Sequence, residues 1–320
     1  MPTYSFKKEC RVYVVYGGEK FNIDISDIDF SQTIAFSDYK VNTLHNPGDL
    51  FAGVSIQKVN PANFSLNFPA IKEPDFLVLF YRALDYKTFD LYIETLQDVF
   101  KIESCVITNT NFIINKQQPL RIAIQGEGTK LTREGDYGSS IPGTEEARSQ
   151  NRSYNLAKYL QIALDSVNLD NIVSVNVELQ NVIKWTPYKT IENACTDSIS
   201  LAYPSEFSLD KRILAGNVRT NAIEDTNYSM SVPLLIKAGE VIGTNFYGFE
   251  FNMSEVSFTN RINTGQIFST SYDWRLTQDI ENLGEVLEYR TLVQGALEPI
   301  YDDLDQPIQD EGDEPIYENL

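Results

Sequence analysis

The sequence predicts a mainly β (α+β) fold in which one strand-rich, sandwich-like domain is used twice. Three observations carry this: many short runs alternate apolar and polar residues, one helix candidate stands alone, and an internal match recurs at a constant offset. The 320 residues give room for two domains of about 150, and 42% hydrophobic residues can form their cores.

The alternating runs come first. Residues 23–25, 28–30, 89–94, 100–102, 120–124 and 247–251 place apolar side chains at every second position, the period of a half-buried strand. The helix candidate covers residues 75–86. Pro74 opens it as a first-turn residue, and the run is apolar nearly all round, as a helix buried against a sheet would be. No equivalent candidate follows in the second copy. Residues 126–153 hold Gly126, Gly128, Gly135, Gly138 and Gly143 with few aliphatic residues, and read as a long loop or interdomain linker.

The repeat is defined by position. Phe30 falls with Leu179, Ile34 with Ile183, Phe36 with Trp185 and Tyr39 with Tyr188, all at an offset of 149. A second match sets Asn63, Ser65 and Pro69 against Asn227, Ser229 and Pro233 at an offset of 164. The change of offset predicts a 15-residue insertion in the second copy, within residues 196–223. The expected organisation is a first domain over 1–131, a linker over 132–155, a second domain over 156–296 and a tail over 297–320. That tail holds nine acids and no base, with Pro299, Pro307 and Pro315, and is expected to stay flexible. It repeats Glu298-Pro299-Ile300-Tyr301 as Glu314-Pro315-Ile316-Tyr317, either as a docking peptide used twice or as part of a solubilising tail.

Charge and composition exclude several functions. Acids outnumber bases 45 to 26, a net charge of -19, which disfavours binding to nucleic-acid phosphates or to an anionic membrane. No stretch approaches the roughly 18 apolar residues of a spanning helix, and no apolar segment follows Lys7 and Lys8, so a soluble protein folding in a cytoplasm is expected. Cys10, Cys105 and Cys195 are too far apart in sequence for a CxxC pair and read as reduced thiols. His45 is the one histidine, beside the turn Asn46-Pro47-Gly48-Asp49, and reads as a surface or packing residue. No metal site, cofactor or catalytic site is expected. Gly126-Glu127-Gly128-Thr129-Lys130 lacks the spacing of a phosphate loop, and Gly138 to Gly143 is no nucleophile elbow. Carboxylate pairs such as Asp24 with Asp29 or Glu250 with Glu255 are unavoidable among 45 acids. The sequons at Asn63, Asn151, Asn227 and Asn252 carry no meaning without secretion.

Two stretches carry a resemblance. One runs from Tyr159-Leu160-Gln161-Ile162 through Asn168-Leu169-Asp170-Asn171-Ile172-Val173 to Trp185-Thr186-Pro187-Tyr188. The other joins Phe89-Asp90-Leu91-Tyr92-Ile93, Ile102-Glu103-Ser104-Cys105-Val106-Ile107 and Leu120-Arg121-Ile122-Ala123-Ile124. The repeated blocks, over most of residues 8–131 and 156–280, resemble the tube domain of bacteriophage major tail proteins. That resemblance implies a β-sandwich with a flanking helix, whose subunits join into rings stacked as a hollow tail tube in the virion. It implies no enzymatic activity. A doubled domain implies trimers with pseudo-sixfold symmetry. The partners are then further copies of the chain and other tail proteins, while genome DNA passes without specific binding. Another tail or baseplate ring component of the same fold is the alternative within that class. A carbohydrate-binding or hydrolytic β-protein is the alternative outside it, with Trp185 and Trp274 as glycan platforms.

A bore that passes DNA is served by carboxylates, which repel phosphates. Asp24, Asp27, Asp29, Glu94, Glu103, Glu178, Glu250 and Glu255 alternate with apolar residues and are the lumen-lining candidates, unless they merely solubilise an outer surface. The expected insertion reads as a hairpin or extended arm around Pro204-Ser205, reaching about 25 to 50 Å. Leu201, Tyr203, Phe207, Leu209, Ile213 and Leu214 would be its apolar contact surface and Lys211 and Arg212 its positive charge, for a neighbouring subunit. The competing expectation is that the arm folds back on its own domain.

Overall fold

Every strand in this chain must find a hydrogen-bonding edge, and the order in which the edges are filled defines the architecture. The computed structural model describes residues 9–39, 53–70, 77–145, 155–186, 203–204, 206–221, 231–264, 268–279 and 281–290. In the first half, β1 (Arg11–Tyr16) and β2 (Glu19–Ile23) form a hairpin whose turn is Gly17-Gly18, both at positive φ. Then come β3 (Asp27–Ser31), β4 (Ile34–Tyr39), β5 (Gly53–Val59) and β6 (Ala62–Pro69). Helix α1 (Leu77–Asp85) precedes β7 (Phe89–Glu94), β8 (Asp98–Asn115), β9 (Arg121–Gly128), β10 (Lys130–Asp136) and the two-residue β11 (Thr144–Glu145).

The second half opens on another hairpin, β12 (Tyr159–Leu164) with β13 (Val167–Asn168). It continues with β14 (Ile172–Trp185), β15 (Phe207–Thr220), β16 (Val232–Ile242), β17 (Asn245–Asn263), β18 (Ser269–Leu276) and β19 (Leu287–Arg290).

Pairing runs in the same order in both halves. The first half builds β2-β1-β7-β8-β10 and β3-β6-β9-β8. The second builds β13-β12-β16-β17-β19 and β14-β15-β18-β17. In each half one long strand serves both sheets: the N-terminal part of β8 or β17 lies in the first and its C-terminal part in the second. Bulges let these strands bend. Register shifts occur where β8 meets β7 and β9, with Ser104 at positive φ, and where β17 meets β16. The halves are joined edge to edge, since β14 pairs antiparallel with the C-terminal part of β8 from Ser174↔Asn115 to Gln180↔Asn109. The result is a continuous sheet of eight antiparallel strands, β3-β6-β9-β8-β14-β15-β18-β17.

The buried side chains form one large cluster spanning both halves. At its centre Phe112 of β8 meets Phe249 of β17 at 4.9 Å, Phe249 meets Tyr289 of β19 at 4.5 Å, and Phe80 of α1 lies 6.0 Å from Phe249. Helix α1 therefore packs its Leu79, Phe80, Ala83 and Leu84 over the junction of the halves. Buried Asn181 of β14 fixes it there, donating through Nδ2 to the carbonyls of Ala83 (2.9 Å) and Ile107 (3.1 Å).

Several expectations change. The helix is present over Leu77–Asp85; the segment that would hold a second-half counterpart, 222–230, lies outside the described residues, as do Cys195, the turn at His45 and residues 291–320. The glycine-rich stretch is not all loop, because β9 and β10 run through Gly126–Asp136. Its glycines mark close approach instead: a Cβ on Gly126 would sit 2.2 Å from the Phe64 ring, and one on Gly128 2.5 Å from Ile102. The offset of 149 agrees with pairing, since Phe30 and Leu179 occupy equivalent places in β3 and β14. The offset of 164 does not. Pairing makes β15 the counterpart of β6, so residues 231–233 enter a different strand. With that match goes the expected insertion.

The expected free arm is strand β15, paired with β14 from Phe207↔Trp185 to Thr220↔Ile172. Its side chains are buried unevenly: Leu209, Arg212 and Ile213 are half-buried, while Lys211 is exposed. Leu214 is buried, Phe207 makes edge-to-face contacts with Trp185 and Tyr86, and Tyr203 lies under Lys130. Leu201 lies outside the described residues.

Candidate assembly surface

One face of the eight-stranded sheet covers the core; the other is open. Because opposed residues in an antiparallel sheet point to the same side, rows can be followed across all eight strands. One row of the open face reads Asp27, Asn67, Ala123, Asn111, Glu178, Ala215, Arg275, Ser257. The next rows add Asp29, Ser65, Gln125, Asn109 and Gln180 on one side, and Arg121, Ile113, Asn176, Asn217, Asp273 and Thr259 on the other. Amides and hydroxyls dominate, and they bond laterally. Asn109 Nδ2 donates to Glu178 Oε1 across the junction (2.5 Å), Asn217 to Asp273, and Asn263 Nδ2 to Ser271 Oγ (2.6 Å).

Of the eight acids expected to share a surface, Asp27, Asp29 and Glu178 do so on this face. The other five sit elsewhere. Asp24 is exposed between β2 and β3. Glu94 ends β7 opposite Arg11, and Glu103 belongs to the β7-β8-β10 sheet, where it pairs with Lys101. Lys101 also bridges Asp90; burial opposes its charge, but Asp90, Tyr92 and Glu103 outweigh that and raise its pKa. Glu250 is 9% exposed and held between Lys237 (2.8 Å) and Arg290 (3.0 Å), a structural ion-pair network rather than an open carboxylate. Glu255 is exposed at the β17 bulge, its carbonyl accepting from Thr277. Arg121, Arg219, Arg261 and Arg275 share the open face with these three acids and with Asp273, so it is a mixed polar surface and no wall of carboxylates. Sequence reading missed these arginines, although they obey the same period of two as the acids.

The tryptophans do not form glycan platforms. Trp274 is buried beside Gly216, and Trp185 donates to Glu127 Oε2 (2.5 Å) beneath Phe207. Among the described residues no group of three His, Cys, Asp or Glu could hold a metal ion. No described helix is long and apolar enough to cross a membrane.

Cys105 is fully buried, and burial pushes its thiol pKa well up. Because the thiolate is the reactive form, Cys105 is expected to resist alkylation in the native chain at neutral pH and to react once denaturant is added. Mass mapping of the alkylated cysteines checks this; fast native labelling of Cys105 would show the core to be open there.

A family model, the Bacteriophage Baseplate Tube Protein Family, matches residues 76–289, from just before α1 to β19. The chain belongs to this family. It is therefore a structural protein of the phage tail or baseplate, a component of the virion that interacts with copies of itself and with other tail proteins. Comparison with curated proteins gives no match.

Proposed function

We propose that the chain carries two copies of a tube domain and that three chains close into a ring with pseudo-sixfold symmetry, the building unit of a tube through which the genome leaves the virion. The repeated pairing order carries this reading: each half builds the same two sheets from strands in the same sequence, and the halves meet edge to edge instead of back to back. A sheet that already adds one domain to the next can continue adding domains until it closes. Six four-strand units make about 24 strands; at about 4.8 Å spacing the backbone circumference is at least about 115 Å and the diameter at least about 37 Å, both larger once the strands tilt. Such a barrel leaves an aqueous bore. The open face mixes amides and hydroxyls with arginines and carboxylates, so its positive charges are interrupted by negative ones and give DNA phosphates no continuous basic track. The exposed end of the β14-β15 hairpin, with Asp210 and Lys211 beside Leu209, Arg212 and Ile213, is proposed to meet an adjacent ring.

The family match favours a position in the baseplate-proximal tube over the main shaft, and stacking tests separate the two. Electron microscopy of the purified full chain, with its native mass, is expected to show annular particles of three chains with six similar lobes. Rings of six chains, or a persistent monomer, would overturn the proposal.

A further inference from the structure

We infer that residues 291–301 fold back over the outer face of the sheet β13-β12-β16-β17-β19 and add to its edge strand β13, as residues 137–145 do on β2 in the first half. The inference rests on the repeated pairing order and does not depend on ring closure.

In the first half the chain does not leave the sheet at the end of β10. It crosses the face turned away from the core and returns at the opposite edge, where β11 pairs parallel with β2 through Thr144↔Glu19 and Glu145↔Lys20. The Thr144 amide donates to the Gly18 carbonyl (3.0 Å), and Lys20 reaches Glu145 (3.5 Å). On the way Ile141 packs over Tyr13, Tyr92 and Val99, which are buried although they lie outside the main core. The crossing segment thus covers the outer face, and β11 caps an edge that would otherwise stay open.

The second half repeats the scaffold for such a strap. The hairpins β1-β2 and β12-β13 both turn on two residues at positive φ, Gly17-Gly18 and Asp165-Ser166, flanked by Tyr16↔Glu19 and Leu164↔Val167. Among the described residues β13 pairs with β12 alone. The Leu169 amide donates to the Ile162 carbonyl, so the amide of Asn168, one residue earlier, points away from β12. The outer face is less covered than its counterpart: Tyr159 is 37% and Val241 48% exposed, and Leu235 is half-buried. Strand β19 stands where β10 stands and ends at Arg290, level with Tyr159 across Gly248 and Gly239.

Length and composition select the occupant. From Arg290 to β13 the path runs four strand spacings sideways and five residues along the strands, about 25 Å, which about eight extended residues span. Residues 291–298 supply that length, and 299–301 then lie along β13. The composition changes at the same place. Residues 291–301 include Leu292, Val293, Leu297, Ile300 and Tyr301, with Glu298 their one acid, whereas 302–320 hold eight acids and no base. An apolar strap covers Tyr159 and Leu235; a run of carboxylates laid across Glu250 and Glu288 would be repelled. Of the two Glu-Pro-Ile-Tyr copies, the first is therefore the one placed at the β13 edge, and the acidic remainder departs from there.

Amide exchange and paired cysteines test this. Exchange over residues 166–170, read by mass spectrometry, is expected to be slow in the full chain and in a chain ending at Tyr301. In a chain ending at Arg290 it should be faster by about tenfold or more, while residues 18–22, capped by β11, keep their protection and report that the fold survives. In the full chain, Asn168→Cys combined in turn with Pro299→Cys, Ile300→Cys and Tyr301→Cys is expected to give a link within one chain under mild oxidation, mapped by mass spectrometry. Asn168→Cys with Ile316→Cys, in the second motif copy, is expected to link no more than the parent chain. Fast exchange at 166–170 in the full chain, links only through Ile316→Cys, or links only between chains would each overturn the strap.

Discussion

Gly248→Ala is expected to cost about 3 kcal/mol or more, enough to leave little folded protein. Gly248 sits in β17 at φ +141, a conformation that disfavours any side chain by about 1 to 3 kcal/mol. It also faces Gly239 directly across the β16-β17 ladder, and a Cβ on Gly248 would lie 2.2 Å from the Ala238 carbonyl oxygen. The obstacle is backbone, so relief requires moving a strand, which adds overpacking of about 1 to 3 kcal/mol. Gly239→Ala meets the same wall, with the Tyr247 carbonyl oxygen nearest. Gly243→Ala is the control. It shares positive φ (60°), but its Cβ would meet nothing within 4 Å, so only the modest conformational cost applies. Soluble yield and chemical denaturation rank the three. Equal stability of Gly248→Ala and Gly243→Ala would show that the two strands do not approach as described.

Phe249→Ala is expected to destabilise the chain by about 3 to 5 kcal/mol, the usual cost of removing a fully buried aromatic ring. More informative is how the loss distributes. Phe249 belongs to the second half, yet it touches Phe112 and Phe80 of the first as well as Tyr289 and Phe251 of its own. Both halves should therefore unfold in a single transition, shifted as a unit. Near-UV circular dichroism together with amide exchange read in α1 and in β17 would follow it. A variant in which the second half melts while α1 and β8 keep their protection would contradict a shared core. Phe246→Ala, near the start of β17 and in edge contact with Tyr159, should change stability far less because that ring is only half-buried.

Parts of this architecture are legible in residue order because they depend on neighbours. The strand period at 89–94 and 121–124, the apolar run that becomes Leu77–Asp85, and the equivalence of Phe30 with Leu179 all follow from local side-chain sequence. Asp27, Asp29 and Glu178 could be placed on one face by their alternation with Ile28, Val177 and Leu179. The offset of 164 misled because two segments of like composition, 63–69 and 227–233, enter different strands; only the pairing partner, distant in sequence, distinguishes β15 from β16.

By itself the sequence determined that this protein is strand-rich and acidic, since those properties reside in composition and period. Tertiary structure decided which face each acid occupies. Alternation says that Glu250 and Glu178 each oppose an apolar neighbour, but not that one face is sealed by Lys237 and Arg290 while the other stays open. It also decided that β8 meets β14, making one sheet of the two halves. Such a joint is written in no single segment, because backbone hydrogen bonding is indifferent to side-chain identity and is settled by which edges remain when all the others are filled.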